Sequence, residues 1–594
     1  MPLTAKSRRL GRAGVRAGSA LLLVVTLPAC VMESEPALAE GTARLVLAAA
    51  DAPPQVTDAA PEESAYGAYL AGLHADRSRD LSAAADFMLT AWEADRDNTA
   101  LLSGTFMLVA ADGRFEKAVE LARLLMMEMP DHPSAGLVLL VEAAEREDYD
   151  KAEELLASLP QRGVNTLLGP VLGAWLALAR DKPDLAFERL DKLTGTEGFA
   201  IIHQLHRALI YDFRGRKSEA SAAYQALLDE ADAPALRLVL LAGNFFERNG
   251  EAARAETHYA KLREEDSDTM LLDQAFARID AGEKPRPPVT SIKEGLAEAL
   301  FSLASLLGQE RADDMALLHV HLALELRPDF EVAQVLLGEL LQAQGRSEQA
   351  IAVYRKVSKD SPFAYMSGLR IAEELQQLEL LEEAIVQLES LSTAFPDRYD
   401  GLFRLGNLFR SEDRFREGVD AYDRAVERLG TPEPHHWSLF YFRGICLERT
   451  DQWPRAEADF KKALELQPEQ PYVMNYLAYS WVDKKMNLDQ AKKMLARAVE
   501  LRPEDGFIVD SLGWAHYRMG EFQEAVRYLE QAVEQRPQDP VINDHLGDAL
   551  WQVGRKREAR FQWQRALSLD PEDKEIPLIE KKIDDGLPVA PKDI

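Results

Sequence analysis

The feature that most constrains this sequence is a repeat of 34 residues. A small residue, nearly always alanine, stands at the same place in every copy. These positions are Ala84, Ala118, Ala152, Ala186, Ala220, Ala255, Ala316, Ala350, Ala384, Gly418, Ala456, Ala491, Ala525 and Ala559. Nearly every step within a series is 34 residues, but Ala255 and Ala316 are 61 residues apart. Repetition at this period predicts a fold of stacked units, each of which buries its apolar face against its neighbours.

Each unit carries the pattern of two antiparallel helices. In one of the last units, Gly513 occupies the eighth position and Ala525 the twentieth. We expect both where the two helices cross, because only small side chains allow the backbones to approach closely. Proline at position 32, as at Pro537, cannot continue the second helix and disfavours helical backbone before it. This pattern is typical of the tetratricopeptide repeat (TPR), so the sequence predicts an all-α TPR solenoid, a superhelix of about fourteen helix-turn-helix units.

The long step divides these units into a first block of six and a second block of eight. Between them, Met270 to Ile279 is expected to be helical, Gly282 ends the helix, and Pro285 to Pro288 cannot continue it. We interpret this segment as a terminating helix and a stiff joint, although a single solenoid with an irregular middle unit fits the same residues. The expected organisation is a signal peptide at 1–29, a lipidated cysteine and flexible tether at 30–63, the first block at 64–268, the joint at 269–296, the second block at 297–572, and a capping helix with a tail at 573–594.

The amino terminus has the pattern of an export signal. Five basic residues and no acidic residue precede an uncharged segment from Ala17 to Ala29, which is too short to span a bilayer. Leu27 to Cys30 reads LPAC and resembles the lipobox of bacterial lipoproteins, in which the cysteine becomes the lipidated first residue. Cleavage by an ordinary signal peptidase after Ala39 is the alternative. Val31 stands where inner-membrane lipoproteins often carry aspartate, so the resemblance implies an anchor in the outer membrane, on its periplasmic face.

The charge of the chain limits its partners. Net charge is -30, and it becomes -35 for the mature chain because the first 29 residues carry five basic and no acidic side chains. So acidic a protein is not expected to bind nucleic acid or anionic lipid surfaces, which leaves the lipid anchor as the contact with the membrane. With Cys30 acylated, Cys446 has no disulfide partner, and we expect it in the core as a small apolar residue.

No motif points to catalysis. Gly215 to Ser218 shares letters with a phosphate-binding loop but lacks its glycine spacing and a preceding strand. His435 and His436 have no further ligand at metal-binding spacing, and His203 and His206 lie three residues apart on an expected helix. We therefore predict no catalytic residue, no metal site and no cofactor, and we interpret the chain as a protein other than an enzyme.

The repeats offer a surface for protein partners instead. In a TPR solenoid, positions 2, 5, 9 and 12 of each unit face a concave groove. In the last three units these positions are rich in aromatic rings and in hydrogen-bond acceptors, which together suit the recognition of a peptide. The predicted partner-binding residues are Tyr472, Asn475, Tyr479, Phe507, Asp510, Trp514, Tyr517, Asp544, Asp548 and Trp551. The alternative is that neighbouring helices or the capping helix cover these side chains.

Three runs in the last repeats carry a closer resemblance. They are NYLAYSWV (475–482), IVDSLGWAHYRMGEFQEAV (508–526) and INDHLGDALWQVGRKREARFQW (542–563). They resemble the carboxy-terminal repeats of long bacterial TPR lipoproteins, a family that includes the adaptor of a periplasmic carboxy-terminal processing protease. The resemblance implies a scaffold that docks such a protease together with its substrates, among them peptidoglycan hydrolases. A scaffold for polysaccharide export or outer-membrane assembly is the alternative function, because similar lipoproteins occur there.

Overall fold

The computed structural model describes residues 64–193, 200–230, 235–265 and 270–588. These residues form thirty α-helices and two short 3-10 helices, with no strand among them. The predicted signal peptide, the tether with Cys30 and the last six residues lie outside the described ranges. Within those ranges no helix combines the length and the apolar character needed to cross a membrane.

The chain divides into two compact units, whose described parts lie within 64–387 and 388–588. In the first unit, helices follow one another as pairs joined by tight turns. Their bounds are α1 (Ala65–Arg77), α2 (Leu81–Ala94), α3 (Thr99–Ala111), α4 (Phe115–Glu128), α5 (Pro133–Glu145), α6 (Tyr149–Ser158), α7 (Asn165–Ala179), α8 (Pro183–Asp191), α9 (Ala200–Phe213), α10 (Lys217–Glu230), α11 (Leu236–Arg248), α12 (Ala252–Glu265), a 3-10 turn (Met270–Leu272), α13 (Asp273–Ala281), α14 (Ile292–Gln309), α15 (Asp313–Leu326), α16 (Glu331–Ala343), α17 (Ser347–Tyr354) and α18 (Ala364–Gln377).

The division falls inside the next helix, α19 (Leu381–Ala394). The second unit then continues the same alternation and ends on a single helix. Its bounds are α20 (Asp400–Ser411), α21 (Phe415–Arg428), a 3-10 turn (Pro434–His436), α22 (Trp437–Arg449), α23 (Trp453–Leu466), α24 (Pro471–Asp483), α25 (Leu488–Leu501), α26 (Gly506–Arg518), α27 (Phe522–Gln535), α28 (Pro540–Gln552), α29 (Lys556–Ser568) and α30 (Ile576–Asp585).

The small residues that define the repeat lie in the core. The thirteen alanines are at most 1% exposed, and Gly418 is buried as well. The glycine at position 8 faces a large residue sixteen positions later in the second helix. A Cβ on Gly338 would lie 2.4 Å from Tyr354 Cε1, and one on Gly547 would lie 2.4 Å from Trp563 Nε1. The predicted all-α TPR solenoid is therefore confirmed, with fourteen helix pairs in the described part of the chain.

The turn inside each pair has a recurrent geometry that the sequence pattern does not reveal. In thirteen of the fourteen described pairs, the residue five positions before the small residue has left-handed backbone, as in Gly113 (φ 78°) and Glu379 (φ 60°). Glycine adopts this conformation without strain, yet about half of the turns use another residue. The packing of the two helices therefore determines the backbone conformation of this turn, because residues other than glycine adopt it although it is unfavourable for them.

Two smaller sequence expectations are also met. The helix expected between Met270 and Ile279 is present as a 3-10 turn followed by α13, and Gly282 ends it in left-handed backbone (φ 66°). The capping helix expected after Pro571 is α30. The boundaries predicted for the two repeat blocks stay a prediction.

A pair of glycine substitutions tests the helix crossing. Gly338→Ala is expected to lower the free energy of unfolding by about 1–3 kcal/mol, because the new methyl group collides with the buried ring of Tyr354. Gly104→Ala, in the exposed middle of α3, has no atom within 4 Å of the added carbon. It is expected to raise stability by roughly 0.5–1 kcal/mol through helix propensity. Urea unfolding followed by circular dichroism measures both, and equal effects would contradict the crossing geometry.

Candidate protein-binding surfaces

The concave surface of the first helix pairs is covered by later helices of the same compact unit. This surface is lined by the first helix of each pair. Helix α14 packs against α7 and α9, and α15 packs against α3 and α5. A Cβ on Gly295 of α14 would lie 2.3 Å from the indole ring of Trp175, and one on Gly113 would lie 2.4 Å from the ring of His321 in α15. The chain itself therefore occupies much of the surface where a partner would bind.

A buried chain of hydrogen bonds links α14 to this surface. Trp175 Nε1 donates to His206 Nδ1 (3.1 Å), and His206 Nε2 lies 3.4 Å from the hydroxyl of Ser302. Burial lowers the pKa of His206 to about 3, so the imidazole is neutral at pH 7. Because Nδ1 accepts from Trp175, the ring proton belongs on Nε2, where it can donate to Ser302. His206 thus serves packing, in agreement with the sequence interpretation.

Ion pairs fix the same interface. Arg346 pairs with Asp112, and the two side chains are only 8% and 4% exposed. Arg237 Nη2 donates to Glu298 at 2.5 Å, and this carboxylate is 1% exposed. Removing one partner of such a pair lowers the stability of the fold strongly, because the remaining charge stays buried without its counter-ion. They therefore favour one register of α14 and the following helices on the first pairs.

The structure places the ten predicted partner-binding residues in two different environments. Those that keep an accessible surface are Tyr472, Asn475, Tyr479, Phe507, Trp514 and Tyr517. Those that are largely withdrawn from solvent are Asp510, Asp544, Asp548 and Trp551. Binding of a partner by any of the ten stays a prediction.

The three carboxylates bind residues of the chain itself. Asp510 contacts His545 Nδ1 at 2.9 Å, and Lys582 of α30 donates to both Asp544 (2.6 Å) and Asp548 (2.9 Å). Burial opposes the charge of His545, but the nearby carboxylate of Asp510 outweighs it, so the pKa of His545 is raised. These groups therefore hold neighbouring helices together. This agrees with the alternative drawn from the sequence, in which neighbouring helices or the capping helix cover these side chains. Each carboxylate thus already has a partner within the chain, although Asp544 Oδ1 accepts no hydrogen bond from the described residues.

Trp551 is covered by the segment that follows α30. Its Nε1 donates to the carbonyl oxygen of Leu587 at 2.6 Å, and its side chain is 5% exposed. Its ring also packs 5.4 Å from that of Trp563. The sequence contains no signal for this contact, since it depends on how the chain turns after the last helix.

The remaining rings form what we call the aromatic surface: Tyr472, Tyr479, Phe507, Trp514 and Tyr517. Trp514 stacks between Tyr517 (4.7 Å between ring centroids) and His545 (4.0 Å). Tyr472 is 41% exposed. Beside these rings on α24, Asn475 Oδ1 is buried and accepts no hydrogen bond from the described residues. Rigid, partly exposed rings can hold apolar side chains of a bound peptide.

The other candidate residues have structural roles. Cys446 is fully buried, and burial raises the pKa of its thiol to about 12, so its predicted place in the core is confirmed. His436 accepts at Nδ1 from the backbone amide of Glu433 (2.8 Å), which closes the turn before α22. No cluster of three metal-ligating side chains occurs among the described residues.

Comparison with protein families agrees with this fold. Models described as tetratricopeptide repeat match residues 332–364, 403–471, 485–540 and 511–574. The matched segments cover helix pairs from both compact units. These segments therefore contain tetratricopeptide repeats, and such solenoids present extended concave surfaces that bind protein partners.

Two relatives match over part of their length. A TPR repeat-containing protein of Pseudomonas aeruginosa, PA4667, is 24% identical over 198 residues, which is 33% of this chain and 33% of that protein. A UDP-N-acetylglucosamine--peptide N-acetylglucosaminyltransferase of Giardia intestinalis is 26% identical over 114 residues, or 19% of this chain and 7% of that enzyme. The match thus spans a third of the first relative and a small fraction of the second.

Two of the solved structures that match this chain share less than 20% sequence identity with it. YrrB, a TPR protein with an unusual peptide-binding site, covers 29% of this chain at 19% identity and a TM-score of 0.26, with 87% of its own chain aligned. A chain of the APC/C hetero-tetramer Cut9-Hcn1 covers 87% of this chain at 14% identity and a TM-score of 0.35, with 96% of its own chain aligned.

Proposed function

We propose that this protein is a non-catalytic adaptor that binds protein partners through the aromatic surface of its carboxy-terminal repeats. The observation that carries the proposal is the partial exposure of these aromatic rings. Rigid aromatic rings are the side chains that most often dominate the energy of protein interfaces. The concave surface of the first pairs is a poorer candidate, because α14 and α15 already pack on it.

The proposed partners are a periplasmic carboxy-terminal processing protease and its cell-wall hydrolase substrates. This part of the proposal rests on the resemblance of the last repeats to adaptor lipoproteins. The proposed place of action is the periplasmic face of the outer membrane, with Cys30 as the lipid anchor. Mass spectrometry of the purified envelope protein tests the anchor: an acylated amino-terminal Cys30 supports it, and an unmodified terminus at Glu40 contradicts it.

The proposed mechanism is a rise in effective concentration. One scaffold that holds a protease and its substrate converts their encounter into an intramolecular event. Purified adaptor is then expected to accelerate substrate cleavage by the protease while it shows no turnover alone. Cleavage of the substrate at the same rate with and without the adaptor would contradict this mechanism.

The test is a pull-down from detergent-solubilised envelope with the full chain as bait. We expect the protease and cell-wall hydrolases to be retained. Tyr479→Ala and Trp514→Ala should each weaken their binding about tenfold or more, as for the central residues of an interface. Phe561→Ala is the matched control, because this ring is 61% exposed and lies on α29, outside the aromatic surface. Trp551→Ala is uninformative here, since Trp551 is buried.

Two results would overturn the proposal. Retention of export or assembly components in place of a protease would assign the chain to that alternative scaffold function. Unchanged binding by Tyr479→Ala and Trp514→Ala, with both variants folded, would place the partner elsewhere on the molecule.

A further inference from the structure

A cavity remains where α15 packs on the first helix pairs. Its volume is about 360 Å³, and its lining residues come from α3, α4, α5, α15, α16, α17 and the adjoining turns, all within the first compact unit. Much of the wall is apolar and buried, as at Val138, Leu322 and Leu337. Pro328 and Lys356 are its exposed edge. Small-molecule sites measure roughly 300–1,000 Å³, so the cavity can hold one short aliphatic ligand.

Two polar side chains of the wall have hydrogen-bonding capacity that the chain does not use. Gln334 is only 5% exposed, and its Nε2 donates to the carbonyl oxygen of Pro328 (2.7 Å), but its Oε1 accepts no hydrogen bond from the described residues. His321 Nε2 is also buried without a partner in that part of the chain. Burial, with Arg346 and Lys356, lowers the pKa of His321 to about 4, so the ring is neutral at pH 7. Buried polar groups are normally hydrogen-bonded, which makes this wall unusual.

The charge around the cavity is mainly negative. Glu325 lines the cavity and is half-buried. Burial, and next the nearby carboxylates of Glu145 and Glu116, raise the pKa of Glu325. Within the described ranges none of these three carboxylates has a cation within 4 Å, and Lys293 donates to the backbone carbonyl oxygen of Glu145 (2.9 Å) rather than to its carboxylate. A bound cation would therefore find a counter-ion in Glu325 and would reduce the repulsion among the three groups.

The kind of cation follows from the rest of the lining. The three carboxylates do not converge as metal ligands do, since the described residues contain no cluster of three metal-ligating side chains. An alkyl chain suits the apolar wall, because its carbon atoms leave water on binding. Phe115 also lines the cavity, and aromatic faces attract cations. Lys356 is the cationic side chain of the lining, and its long, exposed side chain can turn toward solvent.

We propose that this cavity binds a primary ammonium group on a short alkyl chain, with Glu325 as its counter-ion and the buried wall around its carbon atoms. Such a group is carried either by a free aliphatic amine or by a lysine side chain of a bound protein. The site belongs to the first compact unit and uses none of the residues of the aromatic surface, so it does not depend on the proposed adaptor function.

A ligand-observed NMR titration of the full chain tests the proposal. We expect n-pentylamine to bind, and n-pentanol, which has the same carbon chain without the charge, to bind about tenfold more weakly or less. N-acetyl-lysine N-methylamide distinguishes the two sources. Its binding would assign the site to lysine side chains of proteins, whereas binding of n-pentylamine alone would restrict the site to free amines.

Three variants locate the bound ammonium group. Glu325→Gln is expected to weaken the binding of n-pentylamine about tenfold, because it removes the counter-ion. Lys356→Gln should strengthen binding several-fold, since it removes a like charge from the lining. Glu93→Gln is the matched control, because Glu93 is exposed on α2 of the same unit and does not line the cavity. Opposite effects at Glu325 and Lys356 are not expected from a general disturbance of the fold.

Stability separates a binding role of Glu325 from a structural one. Glu325→Gln removes repulsion and breaks no ion pair, so the midpoint of urea unfolding should be unchanged or higher in the absence of ligand. Equal binding of n-pentylamine and n-pentanol, no binding of n-pentylamine, or unchanged affinity in both Glu325→Gln and Lys356→Gln would overturn the inference. None of these results bears on the envelope pull-down, and a failed pull-down leaves this site in place.

Discussion

Replacing Trp175 by alanine is expected to lower the free energy of unfolding of the first compact unit by about 3–5 kcal/mol. Trp175 is fully buried between α7 and α14, with Gly295 against its ring and Phe213 at 5.7 Å. The truncation leaves a cavity at the contact that seats α14. It also removes the hydrogen bond to His206 Nδ1, which leaves that buried acceptor without a donor.

The measurement is urea unfolding combined with hydrogen exchange of the segment 292–326. In Trp175→Ala, amides of α14 and α15 should exchange faster than those of α1 and α2, because the interface is lost before the repeats themselves unfold. Met127→Ala is the control, since this large side chain of the same unit is 69% exposed. A loss of stability no greater than that of the control would show that Trp175 does not hold α14 in place.

Replacing Lys582 by methionine is expected to cost about 3–5 kcal/mol in the stability of the last repeats. The change removes the ammonium group that binds both Asp544 and Asp548, and their side chains are only 15% and 8% exposed. Lys581→Met is the matched control, because the neighbouring Lys581 is exposed on the same helix. Adding Asp548→Asn to Lys582→Met should restore much of the loss, since it removes one buried charge and keeps an oxygen acceptor for Trp563 Nε1.

The same cluster gives the stability a definite dependence on pH. Burial, and next the carboxylate of Asp544, raise the pKa of Asp548 although Lys582 opposes the shift. A raised carboxyl pKa means that the native state holds a proton that the unfolded state has already released. Its stabilisation is therefore complete below the unfolded pKa and is lost as the pH rises through the folded pKa. The raised pKa of His545 acts in the same direction.

We accordingly expect the last repeats to be more stable at about pH 5 than at about pH 7.5, and the difference to grow in Lys582→Met. Urea unfolding at the two pH values, followed by hydrogen exchange of α28 and α29, measures both effects. Lower stability at the acidic pH would mean that other carboxylates dominate, and it would contradict the assignment to Asp548 and His545.

The sequence predicted which positions face the groove, but it did not predict which of their side chains are buried. The positions that face the groove follow from the register of the repeat, and Tyr472 and Trp514 are indeed accessible. Asp548 occupies an equivalent position, yet it is buried under Lys582. Lysine and aspartate at these positions are individually ordinary on a helix surface. Only the fold, which brings Lys582 of α30 to Asp544 and Asp548 of α28, converts them into a buried cluster.

The sequence alone determined the helix pairs, their number and the residues at each crossing. These contacts join residues sixteen or so positions apart, as Gly338 and Tyr354 do, so a local pattern of small and large side chains specifies them. Only the tertiary structure shows that α14 and α15 cover the concave surface of the first helix pairs. The contacts of Asp112 with Arg346 and of His206 with Ser302 join residues 234 and 96 positions apart. No periodic pattern encodes such pairs, because they depend on shape complementarity and on paired buried charges that exist only once both parts have folded.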